Sequence, residues 1–578
     1  MRYLELKHQV NNYFLLHNSL KKTWRRNVRQ MKYVIITFLL LQISIVSKGQ
    51  SPDLILTNGK IFTSDTSQLY VDALAIKNGR IIAIGTTMTI EKMAQKDTKQ
   101  INLEGKLVVP GFNDAHNHLP GGFNATSISF NETDPSWQTL LDSLQKVVNK
   151  TPAGHWIEAR IGPSIANSLE ATRFILDKIT TKHPVKLLSW WGHVGLFNTL
   201  GMKEMGISET QPDPKGGFYE RMSDGKILTG KAFEKNAYDP HTSYQKFASM
   251  RDEKMLVGEL RGMTQAMLKM GITSFQNMCT GATAGDYIKI WEQAGLPFRL
   301  RLIRWGDMNA DGTLSIPGKE LPKNIKKLPL LTVSGTKWLL EGTPIEQGAE
   351  HFEAYPNRPD WHGRMNYSIL EIEKMCREAI ARHDQIMFHI GGDKSMGKLL
   401  DLMENLKIDW KPLRPRFEHG DEIDFSPKYL EKAKQMGIII VQNPTHFASV
   451  EGFAMPKIPP KHGMAMKSLL KYKIPLAIGS DGPFNPFLNI MVATTHPLRP
   501  SEALTREEAV IAYTRTSAFA EFEEQNKGTL TIGKVADLSV LSQDIFKITI
   551  PELMRTESLL TMINGKIVYE TGFLKVKQ

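Results

Sequence analysis

The chain has 578 residues, which is enough for a large barrel with insertions or for more than one ordinary domain. Hydrophobic residues make up 41% and charged residues 23%, which is typical of a globular protein and excludes a disordered chain or a multi-span membrane protein. The formal charge is +12, but residues 1–50 hold nine Lys or Arg against one acid and so carry +8 of it. The remaining +4 gives no reason to expect a nucleic-acid partner.

An apolar stretch with a basic start lies near the beginning of the chain. Met31 and Lys32 precede the mostly apolar residues 33–46, and the small residues Ser47 and Gly49 follow. This pattern predicts a secretory signal peptide, because a membrane span needs about 20 apolar residues. We expect residues 1–50 to be an upstream extension plus the signal peptide, with Met31 as the true start and an exported, periplasmic or secreted body. The alternative is an uncleaved membrane anchor.

Short apolar runs with turn dipeptides lie at both ends of the exported body. Residues 51–110 contain Asn58-Gly59 and Asn78-Gly79, and residues 529–578 contain Asn564-Gly565. Such dipeptides favour two-residue β-hairpins. Because these two segments enclose a long α/β stretch, we predict that they form one small β-sandwich together.

Residues 111–528 alternate short apolar runs with amphipathic helical patterns. Helices are predicted over 254–270 and over 368–384, the second opened by a capping box from Ser368 to Glu371. Two more helices are expected to begin at Ser426 and Thr505. Repeated β-α units of this kind predict a parallel (β/α)8 TIM-like barrel. Residues from about 119 to 250 are less regular, and we expect barrel strands there together with a sizeable insertion.

The nine residues PGFNDAHNH, at positions 110–118, follow an apolar run. Because side chains alternate along a strand, His116 and His118 should point to the same face. Two imidazoles would then lie at the C-terminal mouth of a strand, where parallel barrels keep their chemistry. A His-x-His pair alone is a weak indication, since two exposed or core histidines fit the pattern equally well.

Several later apolar runs also end in a polar residue suited to metal binding or proton transfer. Any one of them could be a cap or a turn residue, but their joint placement at strand ends predicts a site. These residues are Lys337, His389, Glu418, His419, His446 and Asp481. The chain has two cysteines, too few for a zinc-thiolate cluster, and Cys279 is more simply a small buried side chain than a ligand.

The motifs PGFNDAHNH, FHIGGD, FEHG and GSDGP, in this order and spacing, resemble the amidohydrolase superfamily. Within it, WGHVGLFN and TIGKVADLSVL make the chain similar to the branch that includes N-substituted formamide deformylase. The resemblance implies a divalent-metal hydrolase with a barrel and a terminal β-sandwich. It assigns His116 and His118 to a first metal, His389 and His419 to a second, Lys337 as a bridging carbamate, and Asp481 to both metal binding and proton transfer.

The chemistry of these residues agrees with that assignment. Neutral imidazoles suit Zn²⁺, and one or two such ions per chain are expected. A lysine cation cannot ligate a metal, whereas its carbamate is an anion; the alternative for Lys337 is an ion pair with Glu341. A carboxylate such as Asp481 is a natural general base for water and then an acid for the leaving amine.

The chain departs from the branch at residues that bear on substrate choice. Trp191 stands where the branch has Asp, Glu341 also where it has Asp, and Asn443 where it has Gln. We expect His193 to contact the substrate carbonyl, with a structural hydrogen bond as the alternative, and Trp191 and His446 to line the substrate pocket.

The predicted function is an exported metal-dependent hydrolase that cleaves the C–N bond of an amide or an N-acyl or N-formyl amine. Alternatives are a deaminase or cyclic-amide hydrolase on the same scaffold, and a catalytically silent exported binding protein. The expected partner is a small-molecule amide, membrane contact is limited to the signal peptide or anchor, and self-association into a homo-oligomer is left open. Rings near the site would favour an apolar substrate, unless they pack the insertion against the barrel: Trp190, Trp191, Phe197 and Trp338.

Overall fold

The structure is a computed structural model that describes residues 51–238, 251–316, 328–356, 358–420, 426–448 and 465–577. The predicted signal peptide lies outside the described residues. Within the described ranges, no helix combines the length and the apolar character that crossing a membrane requires.

Eight parallel strands form the central barrel, and this confirms the predicted (β/α)8 fold. Most of them are buried along their whole length, as expected of strands covered on both faces. The barrel closes where the backbone N–H of Asp481, just after the eighth strand, donates to the carbonyl oxygen of His116 at 2.9 Å. In order, the eight strands are Phe112–Asn117, Ile272–Met278, Arg299–Trp305, Leu331–Leu339, Ile386–Ile390, Arg416–His419, Ile439–Gln442 and Leu476–Ile478.

Helices surround the barrel close to the predicted positions. The capping box predicted at Ser368 is present, and the helix expected to begin at Thr505 is opened by a second one. Pro427 opens the helix expected at Ser426, at its first position. The main helices of this part are Glu253–Lys269, Ala284–Ala294, Ile369–Arg382, Asp393–Asn405, Pro427–Met436, Thr445–Ala448, Lys467–Lys471, Pro486–Thr495, Arg506–Ile511 and Ser517–Ala520.

Both chain ends contribute to two further sheets, as predicted. Asn78-Gly79 and Asn564-Gly565 form tight hairpins in which all four residues have positive φ. The hairpin predicted at Asn58-Gly59 was wrong, because the strands on its two sides belong to different sheets. The five-stranded sheet has the order Val576–Lys577, Lys99–Asn102, Leu54–Thr57, Ala73–Lys77, Arg80–Gly85. The six-stranded sheet has the order Lys566–Glu570, Ser558–Ile563, Leu538–Leu541, Leu107–Pro110, Lys60–Phe62, Tyr70–Val71.

The segment between the first and second barrel strands forms a mixed sheet of its own, which we call the inserted sheet. We expected barrel strands here, and this was wrong: the described residues 119–238 contribute none to the barrel. The insertion instead builds separate apolar cores around residues such as Leu140, Leu187 and Phe197. The strand order of the inserted sheet is Phe218–Arg221, Leu228–Phe233, Val194–Phe197, Val185–Ser189, Ile157–Ile161, Thr126–Ile128. Its helices are Trp137–Val148, Pro163–Ala166, Arg173–Ile179, Thr199–Met205 and Lys235–Tyr238.

Candidate metal and catalytic site

Six predicted residues meet at the C-terminal end of the barrel strands, and we call them the ligand cluster. Each comes from the end of a strand or from the residues just after it, so the parallel register of the barrel brings them together. All are buried or partly buried. The ligand cluster consists of His116, His118, Lys337, His389, His419 and Asp481.

The Asp481 carboxylate lies at the centre of the ligand cluster. Its oxygens are 3.9 Å from His116 Nε2, 3.3 Å from His118 Nε2 and 3.8 Å from His419 Nδ1. Two ligands about 2.0–2.1 Å from one tetrahedral ion are about 3.4 Å apart, so these separations suit groups that share a metal. The candidate ligand atoms of His116, His419 and Asp481 all lie within 4.8 Å of one another, and this group takes members from both of the metal pairs inferred from the sequence.

His116 and His118 each direct Nε2 toward Asp481, while Nδ1 of each ring lies against another side chain. His116 Nδ1 lies 2.5 Å from Glu418 Oε2, and His118 Nδ1 lies 2.9 Å from Thr280 Oγ1. His116 Nε2 is buried and has no hydrogen-bond partner among the described residues. A carboxylate on Nδ1 places the proton there and leaves the Nε2 lone pair for a metal, so the site fits a divalent ion.

Two members of the ligand cluster adopt a left-handed backbone. His419 has φ +73° and Asp481 has φ +41°, values that are uncommon for residues other than glycine. In a regular strand, the side chains of adjacent residues point to opposite faces. Glu418 and His419 are adjacent, yet Glu418 contacts His116 and His419 lies beside Asp481. Such strain persists where the surroundings demand it and is typical of functional positions.

Burial shapes the electrostatics of the ligand cluster. It lowers the pKa of His116 to about 4, and the Lys337 cation adds to that effect. The pKa values of His389 and His419 are also held well below the usual range by burial and by neighbouring rings. These imidazoles are therefore neutral at pH 7, as metal ligation requires.

Lys337 is almost fully buried, and burial lowers its pKa to about 8 although Glu418 and Asp481 oppose the shift. A fraction of its amine is then neutral near pH 7, which is the form that reacts with CO₂. The alternative pairing with Glu341 was wrong. The Glu341 carboxylate instead accepts hydrogen bonds at 2.7–2.8 Å from three backbone N–H groups and the Ser395 hydroxyl, around the start of the helix Asp393–Asn405.

A buried ion pair below the ligand cluster was missed by the sequence analysis. Arg416 Nε donates to Glu418 Oε1 at 2.7 Å, and the same guanidinium reaches Gln276 Oε1 at 2.6 Å. Burial opposes ionisation of Glu418, but the Arg416 guanidinium lowers its carboxyl pKa to about 2. Charged residues two apart in a buried parallel strand were the available indication, since alternation turns both into the barrel.

His193 reaches the site from the inserted sheet. Its ring centroid lies 4.8 Å from that of His389, and its Nδ1 lies 2.8 Å from Glu234 Oε2 and 3.8 Å from Glu346 Oε1. Burial opposes protonation of His193, but the Glu234 and Glu346 carboxylates raise its pKa overall. His193 was expected here from the sequence, whereas neither glutamate was predicted to have a role at the site, and the two lie far from His193 and from each other along the chain.

The remaining predicted pocket residues lie around this centre. His446 Nε2 is 3.9 Å from Asp481 Oδ2, and its ring stacks on His419. Trp191 is half-buried and donates its indole N–H to Glu346 at 2.7 Å. Asn443, at the end of the seventh strand, is fully buried, and its amide has no partner among the described residues.

Two of the aromatic residues considered as pocket walls do not face the site. Phe197 is completely buried in the core of the inserted sheet, and Trp338 lies in the barrel core against Gly306. Each ring packs within the core of its own part of the fold, so neither lines the pocket and neither joins the insertion to the barrel. Cys279 is buried as well, and its thiol lies against its neighbour Asn277.

Comparison with known proteins agrees with this geometry. A family model described as "Amidohydrolase family" matches residues 99–569. N-substituted formamide deformylase of Arthrobacter pascens is 25% identical over 547 residues, which cover 90% of this chain and 99% of that protein. Protein LONG AFTER FAR-RED 3 of Arabidopsis thaliana is 27% identical over 556 residues, which cover 90% and 92%.

The fold is also found among solved structures. A metal-dependent hydrolase from Pyrococcus furiosus superposes with a TM-score of 0.61 at 20% identity, covering 86% of this chain and 100% of that one. The resemblance inferred from the four strand-end motifs is confirmed. Since the family model spans most of its length, the chain belongs to the amidohydrolase family.

Proposed function

We propose that this protein hydrolyses the C–N bond of a small N-substituted amide, such as an N-formyl or N-acyl amine. The observation that carries the proposal is the Asp481 carboxylate surrounded by the imidazole nitrogens of His116, His118 and His419 at 3.3–3.9 Å. The similarity to N-substituted formamide deformylase over nearly the whole of that protein supports an amide as substrate.

We assign one or two divalent ions, with Zn²⁺ best suited to the imidazoles, to the ligand cluster. A carbamate on Lys337 would be the bridging anion if two ions are bound. When bound, the metal supplies Lewis-acid activation of water and of the substrate carbonyl.

The residues of the chain supply the rest of the chemistry. Asp481 accepts a proton from the attacking water and returns it to the departing nitrogen, so that the amine leaves neutral. The Glu234 and Glu346 carboxylates raise the pKa of His193 and favour its imidazolium form, in which both ring nitrogens carry a proton. Nδ1–H then donates to Glu234, and Nε2–H, on the opposite side of the ring, donates a hydrogen bond to the carbonyl oxygen as negative charge develops there. His446 and Trp191 border the space beside these groups and limit the size of the substrate.

The proposed substrate is largely apolar and uncharged. Trp190 and Trp191 are half-buried and pack edge to face, with ring centroids 5.2 Å apart. Aromatic walls give apolar contact at little entropic cost, whereas a charged group that enters such a site without a partner loses its hydration.

Metal analysis and a substrate panel test the proposal together. We expect at least one equivalent of divalent metal per chain and turnover of N-formyl, N-acetyl or N-aroyl amines that stops on chelation. Less than about half an equivalent of metal, with no metal-stimulated hydrolysis, would favour a silent binding protein. A clear preference for a nucleobase or a zwitterionic dipeptide would instead overturn the substrate class, since the same scaffold could deaminate or cleave peptides.

We also propose that the enzyme acts outside the cytoplasm. The support is the sequence pattern of residues 31–49, whose basic start, short apolar stretch and small residues match a signal peptide.

A further inference from the structure

Two buried carboxylates, those of Glu234 and Glu346, lie beside Nδ1 of His193. Only 7% of His193, 2% of Glu234 and 6% of Glu346 is exposed. The three residues come from different parts of the fold: a turn of the inserted sheet, the end of its strand Leu228–Phe233, and the loop after the fourth barrel strand. Buried charges are costly unless they are paired, so this arrangement calls for a reason.

The backbone of the inserted sheet is shaped to bring Glu234 to His193. Pairing of Val194 with Phe233 places Glu234 directly across from His193, and the Glu234 N–H donates to the His193 carbonyl oxygen at 2.8 Å. Glu234 then adopts φ +68°, a left-handed conformation that is unfavourable for a residue with a side chain. This left-handed step turns its carboxylate to the imidazole, where Oε2 lies 2.8 Å from Nδ1.

Glu346 joins the same group to the barrel. Its carboxylate accepts hydrogen bonds from the Thr343 backbone N–H and from the Thr343 hydroxyl at 2.6 Å, and it also accepts the Trp191 indole N–H. A Cβ atom on Gly342 would lie 2.5 Å from Glu346 Oε1 and 2.6 Å from Glu234 Oε1. The glycine at this position therefore leaves room for the two carboxylates to lie close together.

The same three side chains could in principle hold an ion, because their ligand atoms all lie within 4.8 Å of one another. The hydrogen bonds argue against this. Glu346 already accepts three donors, and Glu234 Oε2 is at hydrogen-bond distance from His193 Nδ1. The imidazole N–H therefore fills the position that a metal would take.

We propose that Glu234 and Glu346 are positioning residues that fix the imidazole of His193 over the ligand cluster. With Nδ1 held by the glutamates, Nε2 faces the substrate space beside His389. The inserted sheet thereby supplies one wall of the active site with a rigidly oriented hydrogen-bonding group. This inference rests on the role given to His193 in the proposed function.

A double-mutant cycle on the metal-loaded enzyme tests the inference with whichever amide of the panel is turned over. We expect Glu234→Gln and Glu346→Gln to lower kcat about 10- to 100-fold, as loss of an orienting partner typically does, with metal content unchanged. In a protein that already carries His193→Ala, either glutamate change should lower kcat by less than about a further twofold. Glu220→Gln, in the same inserted sheet but bonded to Thr229, is the matched control and should keep full activity.

Two kinetic results would overturn the inference. One is a full additional loss when Glu234→Gln is combined with His193→Ala, because the glutamate would then act independently of the histidine. The other is wild-type kcat in both single glutamate variants. Thermal unfolding of each variant separates these results from simple failure to fold.

Nitrogen-15 spectra of histidine-labelled, metal-loaded protein test the same contact without any substrate. We expect a hydrogen-bonded Nδ1 proton of His193, identified by its disappearance in His193→Ala, that shifts in both glutamate variants but not in Glu220→Gln. Its absence from the wild type would assign the three side chains to a metal and overturn the inference. Its presence without turnover of any amide would leave the positioning intact and reject the proposed function.

Discussion

Glu418 offers a sharp test of how the barrel prepares its ligands. Its carboxylate accepts hydrogen bonds from Arg416 Nε at 2.7 Å, from Arg416 Nη2 at 3.1 Å and from His116 Nδ1 at 2.5 Å. All three residues are completely buried. The change Glu418→Gln keeps the shape of the side chain but replaces one acceptor oxygen by an N–H donor.

Neither orientation of the new amide satisfies its neighbours. If its NH₂ group faces Arg416, a buried guanidinium N–H loses its acceptor and the charge loses its partner. If the NH₂ group faces His116, it donates to Nδ1 and forces the imidazole proton onto Nε2, where it blocks metal binding. Losing one member of a buried ion pair costs about 3–5 kcal/mol in the free energy of unfolding, and losing the orienting carboxylate costs about 10- to 100-fold in metal affinity.

We expect Glu418→Gln to lower the affinity for Zn²⁺ by about 10- to 100-fold. The affinity is measured by adding Zn²⁺ to metal-free protein in competition with a chromogenic chelator. Urea unfolding of the metal-free protein should show the loss of stability separately. Glu524→Gln is the matched control, because Glu524 pairs with Arg414 through two hydrogen bonds of 2.7 and 3.0 Å outside the ligand cluster. Zn²⁺ affinity within about twofold of wild type for Glu418→Gln would refute the proposed control of the His116 tautomer.

Three further predictions concern the ligand cluster and the N-terminus. Asp481→Asn should lower kcat by about 10² or more while circular dichroism stays unchanged, because an amide cannot accept the proton of water; an unchanged kcat would remove Asp481 from proton transfer. Lys337→Ala should lose metal and activity, and added short carboxylic acids should restore part of both. A high-resolution map with full metal and an unmodified Lys337 would contradict the carbamate. The mature chain should begin near Gln50 by intact mass from the native host, and a mass that includes residues 31–49 would support the anchor.

The barrel could be predicted from the sequence because its determinants are local. Several barrel strands, such as Ile386–Ile390, Ile439–Gln442 and Leu476–Ile478, are short and mostly apolar runs. Helix starts such as Ser368 and Thr505 carry their own capping residues. The ligand cluster was also accessible, since parallel strands bring their C-terminal ends to one edge. A polar residue that ends an apolar run, such as His389 or Asp481, therefore marks the site without any knowledge of tertiary contacts.

The parts that escaped prediction depend on contacts between distant residues. Glu234 and Glu346 occupy unremarkable positions in sequence, and only the packing of the inserted sheet against the barrel brings them to His193. The left-handed backbone at His419 is likewise set by the surroundings, because nothing in the residue type requires it. The same limit applies to Phe197 and Trp338, since a buried aromatic ring can face a core or a pocket with the same local sequence.

The site therefore has two parts, the ligand cluster on the barrel and His193 on the inserted sheet. The residues of the ligand cluster lie at the ends of buried barrel strands, and the hydrogen bonds between those strands fix their positions independently of the inserted sheet. His193 lies in a turn of the inserted sheet. Its imidazole contacts Glu234 of the same sheet and Glu346 of the loop after the fourth barrel strand. Changes in the inserted sheet should therefore alter how the substrate carbonyl is bound without releasing metal. Amidohydrolases that keep the same barrel motifs can then differ in substrate through this layer alone, because the chemistry and the recognition are anchored to separate parts of the fold.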